Sequence, residues 1–579
     1  MTSSSDPRAR CLATLLTATL LSGCGSDGIA TPKPAATLCD GVAVNVRRLE
    51  PLEHVVVSGA DLQCIALAGE GREYLVVPQL TGATLPYGGY GYRVGDPATI
   101  TARLTRVSGE PDAMPKLASA DQVADAPDAQ ALLDARMRAR EASTPVPVHT
   151  RHGGVALQTL RAGIGAADSL RSFSVLNTLD ATPAYSTVQA RLRFTGTRVL
   201  LYVDTLAQAQ FTDGEVSAMG ALYDQRLLPA VTAAFGDGSD LDANGRIIFL
   251  LTPTVNAIVP AAQCGASGFV RGFFYSHDLS STATTSNRGE IFYGYVPDET
   301  GRWSCPHGRA EVLSNLAPTF VHELQHMLSF GEHAVLRGGQ TEEVWLNEGL
   351  SHLAEEIGSL SYEKRFPAPS GRTVASQIFP DSAAPYITPN LTYSYRYLFS
   401  SGVYSVTSCA PGSFCSLAER GGTWLFLRWL ADQQPESFLR QVVQTNRTGR
   451  ANLEAVLQRS TASLLGEFAI AVSTDSIIGA SRNGTPSALR FRSRNLRSVY
   501  KALFDAVGLP GGISRPFPFE PIPLEPGASV SGTMRPGTFM TYRFRIPAGT
   551  ASSVLRMVAV DGVAFPASSG AQVSIVRMP

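Results

Sequence analysis

The sequence is short of charge. Only 17% of its 579 residues are Asp, Glu, Lys or Arg, against ~25% in ordinary globular proteins. Lys and Arg number 48 against 49 Asp and Glu, a net charge of −1. With no basic excess to neutralise phosphates, nucleic-acid binding is not expected. Histidine is rare, at nine residues, so two of them at a defined spacing carry information. No CxxC pair occurs, which makes a cysteine zinc ribbon improbable on chemistry alone. Beyond the first two dozen positions no run approaches the ~18 successive apolar residues of a membrane helix. No internal repeat is visible. What is plentiful is apolar material, 44% of the chain, enough for a large core and against disorder throughout. At ~150 residues per domain the length suggests about four domains.

The N-terminus reads as an address. Arg8 and Arg10 precede an apolar run from Cys11 to Leu21, a charged segment followed by a short hydrophobic one. As a helix this run would rise only roughly 16 Å, too little for a ~30 Å hydrocarbon core. Its end, Leu21-Ser22-Gly23-Cys24, resembles the lipobox of bacterial lipoproteins. That resemblance implies a signal peptide over 1–23, lipid on Cys24, and an exported protein anchored to the bacterial membrane; plain secretion is the alternative. Residues 24–38 are a small-residue and proline tether. Of the remaining cysteines, Cys39, Cys64, Cys264, Cys305, Cys409 and Cys415 make an even set suited to disulfides in an oxidising compartment. Pairing each with its sequence neighbour is one of 15 possibilities.

From Cys39 to about residue 115, short β-rich runs such as Val55-Val56-Val57, punctuated by Gly88-Gly89 and Gly91, predict a small β-sandwich domain. Residues 116–190 read as a linker or propeptide segment, with one helix from Asp128, a suitable N-cap, to Glu141. An α+β block follows over 191–508. Strands are expected at Val199–Val203, Ile247–Leu251, Phe269–Phe274 and Glu290–Val296, and a helix from Glu215 to Ala234. Helical patterns dominate from 309 to about 475. The proline density of 509–528 predicts a stiff linker, and 529–579 a last small β-domain. Two small all-β domains are thus expected to flank one α+β body, the whole a monomer.

Within that body, His322-Glu323-Leu324-Gln325-His326 is an HExxH motif. On a helix, residues i and i+4 lie one turn apart on one face, so both imidazoles can offer a nitrogen to one Zn²⁺. Glu323 then stands where its carboxylate can meet water activated by the metal, as general base. Leu316, Phe320, Leu324, Met327 and Leu328 make an apolar stripe for the core side. A third protein ligand is needed. The metzincin pattern would place Gly at 329 and His at 332, but Ser329 and Glu332 stand there, leaving Glu332 and His333 as reserves. The better candidate is Glu348, in Trp345-Leu346-Asn347-Glu348-Gly349: Leu346, Leu350, Leu353 and Ile357 mark a second amphipathic helix, and Glu348 and His352 stand i, i+4 on a different face of it.

HExxH followed by WLNEG resembles the gluzincin zinc peptidases, the group containing thermolysin and aminopeptidase N. The longer string through Ser351-His352-Leu353-Ala354-Glu355-Glu356 is most similar to the hyicolysin-type bacterial metallopeptidases. The resemblance covers about 195–475 and is strong only over 321–356. It implies a thermolysin-like catalytic domain with one zinc held by His322, His326 and Glu348, Glu323 as base, and protein or peptide substrates. It also implies a hydroxyl or imidazole donor for the oxyanion from a later segment, for which Tyr395, in the alternating Tyr393, Tyr395 and Tyr397, is the choice. Asn347, His352 and Glu356 are candidates to support the ligating imidazoles. No GxMEN segment for a free amine is found, which favours endopeptidase over aminopeptidase. Gly289–Gly294 could be a substrate-pairing edge strand or an interior one. Asp240, Asp242 and Asn244 begin like a calcium loop, but Leu251 stands at position 12, so a turn stapled by its own side chains competes with calcium. A non-peptide zinc hydrolase and a surface adhesin with structural zinc remain alternatives.

Overall fold

A computed structural model describes residues 37–39, 42–83, 88–100, 128–143, 169–280, 282–363, 382–409, 415–478, 486–505 and 515–579. The export signal and Cys24 lie outside the described residues. Strands β1 (Thr37–Cys39) and β2 (Val42–Val44) form a small antiparallel pair. β3 (His54–Ser58), β4 (Ile65–Ala68), β5 (Glu73–Leu80) and β6 (Tyr90–Gly95) follow, then helix α1 (Ala129–Ser143). Asp128 caps α1, accepting from the Ala131 N–H at 2.8 Å.

The second sheet begins with β7 (Leu170–Leu176), β8 (Tyr185–Thr195) and β9 (Val199–Asp204). It continues through β10 (Ile247–Leu251), β11 (Gly272–Phe274) and β12 (Ile291–Gly294). Its order is β11-β12-β10-β9-β8-β7, with β9, β10 and β12 mutually parallel and β11 antiparallel at one edge. The three parallel strands are buried along their whole length, as expected of strands covered on both faces. Of Gly289–Gly294, Ile291–Gly294 is therefore an interior strand, and the sheet's two edges are β11 and β7. The helical stretch between β9 and β10 runs from Asp213 to Phe235 and opens on a Thr212–Glu215 capping box.

The long helices that follow include α2 (Arg309–Phe330), α3 (Val344–Glu363), α4 (Ala384–Phe399), α5 (Leu417–Gln433) and α6 (Thr461–Ile478). Two glycines let them approach. A Cβ on Gly349 would lie 2.4 Å from Thr423, and one on Gly421 would lie 2.2 Å from the Tyr393 backbone. Glycine thus brings α3 onto α5 and α5 onto α4.

The chain ends in β13 (Ile522–Leu524), β14 (Ser529–Met534), β15 (Thr538–Phe539), β16 (Tyr542–Arg545), β17 (Ser552–Ala559) and β18 (Ala571–Arg577). Here the expected domain plan needs correction. The N-terminal and C-terminal strands do not form two domains; they interleave in the orders β13-β16-β5-β18-β3 and β14-β6-β17-β4. β5 lies between β16 and β18, pairing Val76 with Tyr542 on one side and Ile575 on the other. The two sheets share one core, including Ile65, Leu67, Tyr74, Val76, Met557 and Ile575. Each terminal set alone would leave open edges, and joining them removes most. The linker expectation for 509–528 also changes: Phe517 and Phe519 are buried and 522–524 is a strand. Disulfides join Cys39 to Cys64, Cys264 to Cys305 and Cys409 to Cys415. No described helix is long and apolar enough to cross a membrane.

Candidate metal centre

Helix α2 runs behind the sheet and carries His322, Glu323 and His326 in its fully buried second half. α3 packs beside it and carries Glu348. The His322 and His326 Nε2 atoms are 3.2 Å apart. Glu348 Oε2 lies 3.6 Å from the first and Glu348 Oε1 3.7 Å from the second. A tetrahedral ion with bonds of ~2.0–2.1 Å holds its ligand atoms about 3.3 Å apart. The three side chains therefore fit zinc as one face of such a tetrahedron.

Hydrogen bonding points the same way. His322 Nδ1 donates to Glu355 Oε1 at 2.8 Å, and His326 Nδ1 donates to Asn347 Oδ1 at 3.1 Å. Both Nδ1 protons are thus used, which turns both Nε2 lone pairs toward the common point. Neither Glu348 carboxylate oxygen has a hydrogen-bond partner among the described residues, although Arg420 Nη1 stands 3.0 Å from Oε2 as an ion pair. Two buried carboxylate oxygens without hydrogen bonds are costly in an apolar interior and suit a cation.

The charge state of the cluster follows from its crowding. Burial alone would lower the His322 pKa, but Glu348 and Glu355 outweigh it and push it up to about 10, so a cation has to displace the Nε2 proton before that lone pair can bind it. His326 is held well below the usual imidazole value by burial and then by Arg138. Burial opposes ionisation of Glu348, yet Arg420 and His322 hold it well below the carboxylate range. Burial raises Glu323 to about 8, with His322 opposing. Glu323 Oε2 accepts from the Phe274 N–H of β11 at 3.0 Å, which fixes it between the imidazoles and the sheet edge.

The other expected residues divide. Asn347 does hold an imidazole. His352 borders the cavity with its ring 5.0 Å from that of His322, and it contacts Glu355 at 3.3 Å. Glu356 does not support the imidazoles: it faces away, accepting from Arg494 and Trp424 in a buried network. The missed residue is Glu355, seven positions after Glu348 and so on the same helix face, a spacing that was present to be read. Tyr395 is also corrected. Its segment is helix α4, and its hydroxyl accepts from the Arg515 N–H at 2.9 Å, away from the imidazoles. Tyr393 instead lines the cavity, 5.9 Å from the His352 ring. Glu332 and His333 are buried elsewhere; Glu332 accepts from Gln444 and Arg337, and His333 lies 3.7 Å from Glu342. In the loop that begins like a calcium site, Asp240, Asp242 and Asn244 turn their oxygens onto backbone or side-chain donors of residues 244–246. That is the self-stapled turn. Arg420 and Asp134, both in the cluster, carried no local sequence signal.

No protein-family model matches the chain. Over 225 residues it is 24% identical to the neutral metalloprotease ShpI of Staphylococcus hyicus, which covers 39% of this chain and 47% of that protein. The chain thus spans about half the length of the curated relative it matches.

Proposed function

We propose that the chain is a zinc endopeptidase of the gluzincin type, exported with its N-terminal signal and held to a membrane by lipid on Cys24. One observation carries the enzymatic part: two Nε2 atoms and one carboxylate converge at 3.2–3.7 Å from two helices, beside a buried glutamate that is not needed as a ligand. The partial likeness to a neutral metalloprotease supports the same chemistry. His322, His326 and Glu348 would hold the ion. When bound, zinc would polarise the scissile carbonyl and acidify water. Glu323 accepts the proton of the attacking water and returns it to the leaving amine; a cation nearby favours its ionised form. Glu355 and Asn347 keep the imidazole rings from turning. Tyr393, whose pKa is raised by burial, remains a protonated donor for the developing oxyanion. The edge of β11 offers main-chain groups to an extended peptide.

Metal content and casein turnover, before and after limited trypsin digestion, test this. Glu323→Gln is expected to retain zinc and lose roughly 10²–10⁴-fold in turnover. Glu348→Gln is expected to lose zinc. One tightly held zinc with no cleavage under either condition would favour the adhesin instead.

A further inference from the structure

Helix α1 lies across the cleft in front of the proposed ligands. Asp128, Gln130, Ala131 and Asp134 share with His322 and Glu323 the lining of a cavity of about 190 Å³, below the ~300–1,000 Å³ of ordinary ligand pockets. Two α1 side chains stand where a substrate would. Gln130 Nε2 donates to the Gly272 carbonyl at 2.9 Å, and its Oε1 accepts from the Arg271 N–H at 2.8 Å. A single amide thereby covers the outer edge of β11 as an added strand would. One turn on, Asp134 accepts from Gln130 Nε2 at 2.8 Å. Its carboxylate belongs to a buried trio with His322 and Glu348 whose ligating atoms lie within 4.8 Å of one another. Arg420 Nη1 links the two acids, 3.2 Å from Asp134 and 3.0 Å from Glu348.

The rest of the docking is mixed. Ala129, Leu133 and Met137 join the hydrophobic core. Arg138 and Glu141 are buried as an ion pair at 2.9 Å, and Arg138 Nε and Nη1 have no hydrogen-bond partner among the described residues. Incompletely paired buried charge weakens a contact, so this helix is held less firmly than an apolar one of equal area.

We propose that α1 is an internal occupant of the cleft, with Asp134 as a fourth protein ligand to the metal and Gln130 on the substrate's strand edge. The inference rests on the zinc-site reading above. Four protein ligands close the coordination sphere, the arrangement of structural rather than catalytic zinc. The chain in this conformation is therefore latent, and hydrolysis requires α1 to leave. β3 to β6 are woven among C-terminal strands, so any removal concerns sequence between 101 and 168, not the whole N-terminal third.

The full chain loaded with Co²⁺ reports its ligand set through visible d–d bands, without turnover. Asp134→Asn keeps the side-chain shape but removes the anionic ligand. Its bands are expected to shift, and dipicolinate to strip the metal roughly tenfold faster, the scale on which metal sites respond to lost support. Gln130→Ala, which leaves Asp134 in place, is expected to speed stripping by less and to raise casein hydrolysis. Unchanged bands and stripping in Asp134→Asn overturn the inference even if the wild-type chain is an active zinc peptidase. A wild-type chain that takes up no metal overturns the zinc-site reading and this inference with it. Should Asp134→Asn not fold, Gln130→Ala decides, and wild-type stripping and turnover in that variant overturn the inference.

Discussion

The two-ended sandwich and the cleft around His322 are both buried but satisfied very differently. Among the described residues, no buried side-chain nitrogen or oxygen of the sandwich strands lacks a hydrogen-bond partner, whereas Glu348, His352, Arg138 and Gln325 all leave such atoms in or beside the cleft. One buried amide of the sandwich serves docking: Gln79 donates to the Leu465 carbonyl of α6 and accepts from Gln572, each at 2.9 Å. Its core is otherwise aliphatic and aromatic. The cleft gathers imidazoles, carboxylates and guanidinium groups that apolar packing alone would not favour. One region satisfies its buried polar atoms internally; the other leaves several of its own unpaired among the described residues. The contrast leads us to expect stability and metal binding to respond to changes in different parts of the chain.

The separation can be broken from the sandwich side. Ile575 on β18 is fully buried, so Ile575→Ala is expected to cost about 2–5 kcal/mol of unfolding free energy. Denaturant midpoints would measure that loss, while zinc content below the transition stays at the wild-type level. Metal loss in folded Ile575→Ala would show that the two regions are not independent. From the cleft side, Glu355→Gln should do the opposite. Burial opposes its charge, yet His352 and His322 hold its pKa at about 2, so the carboxylate is fully ionised where it grips His322. Its loss is expected to weaken zinc binding by roughly 10–100-fold with little change in denaturant midpoint of the apo chain. Competition with a fluorescent chelator reads the affinity.

How much of this was legible in the sequence depended on how local each cause is. His322, Glu323 and His326 are set by one helical turn, and Glu348 lies in a recognisable string, so all four could be named without a structure. The strands at 199–203 and 247–251 were legible because fully buried parallel strands are unbroken apolar runs. Tyr395 was misjudged because its segment alternates like a strand but folds as a helix. On a strand 393, 395 and 397 share a face; on a helix i and i+2 are about 200° apart, so Tyr393 reaches the cleft while Tyr395 reaches Arg515. Arg420 and Asp134 meet Glu348 through tertiary packing that no spacing encodes. The sandwich was split in two because strand patterns reveal which face is apolar but not which distant strand is the neighbour.

The smallest expected effect concerns pH, and it sharpens the contrast. Buried carboxylates with raised pKa values occur in the body that holds the cleft. Glu290 is the clearest away from the metal ligands. Burial pushes it up to about 7, against opposing hydrogen bonds from Ser239 and Leu241. A carboxyl raised on folding contributes its full stability below the unfolded value near 4.5 and loses it as pH rises through about 7. The chain's melting temperature should therefore fall modestly between pH 5 and 8. Glu290→Gln keeps an acceptor for Ser239 and Leu241 but cannot ionise, so it should match the wild type at pH 5 and exceed it at pH 8. Asp242, raised by burial to about 6, stands beside Glu290 and Asp240. Added calcium thus makes the same scan diagnostic. If calcium selectively restored wild-type stability at pH 8, those oxygens would be ligands rather than staples of a turn. Stability unmoved by calcium, with a flatter profile in Glu290→Gln, would leave desolvation as the cause.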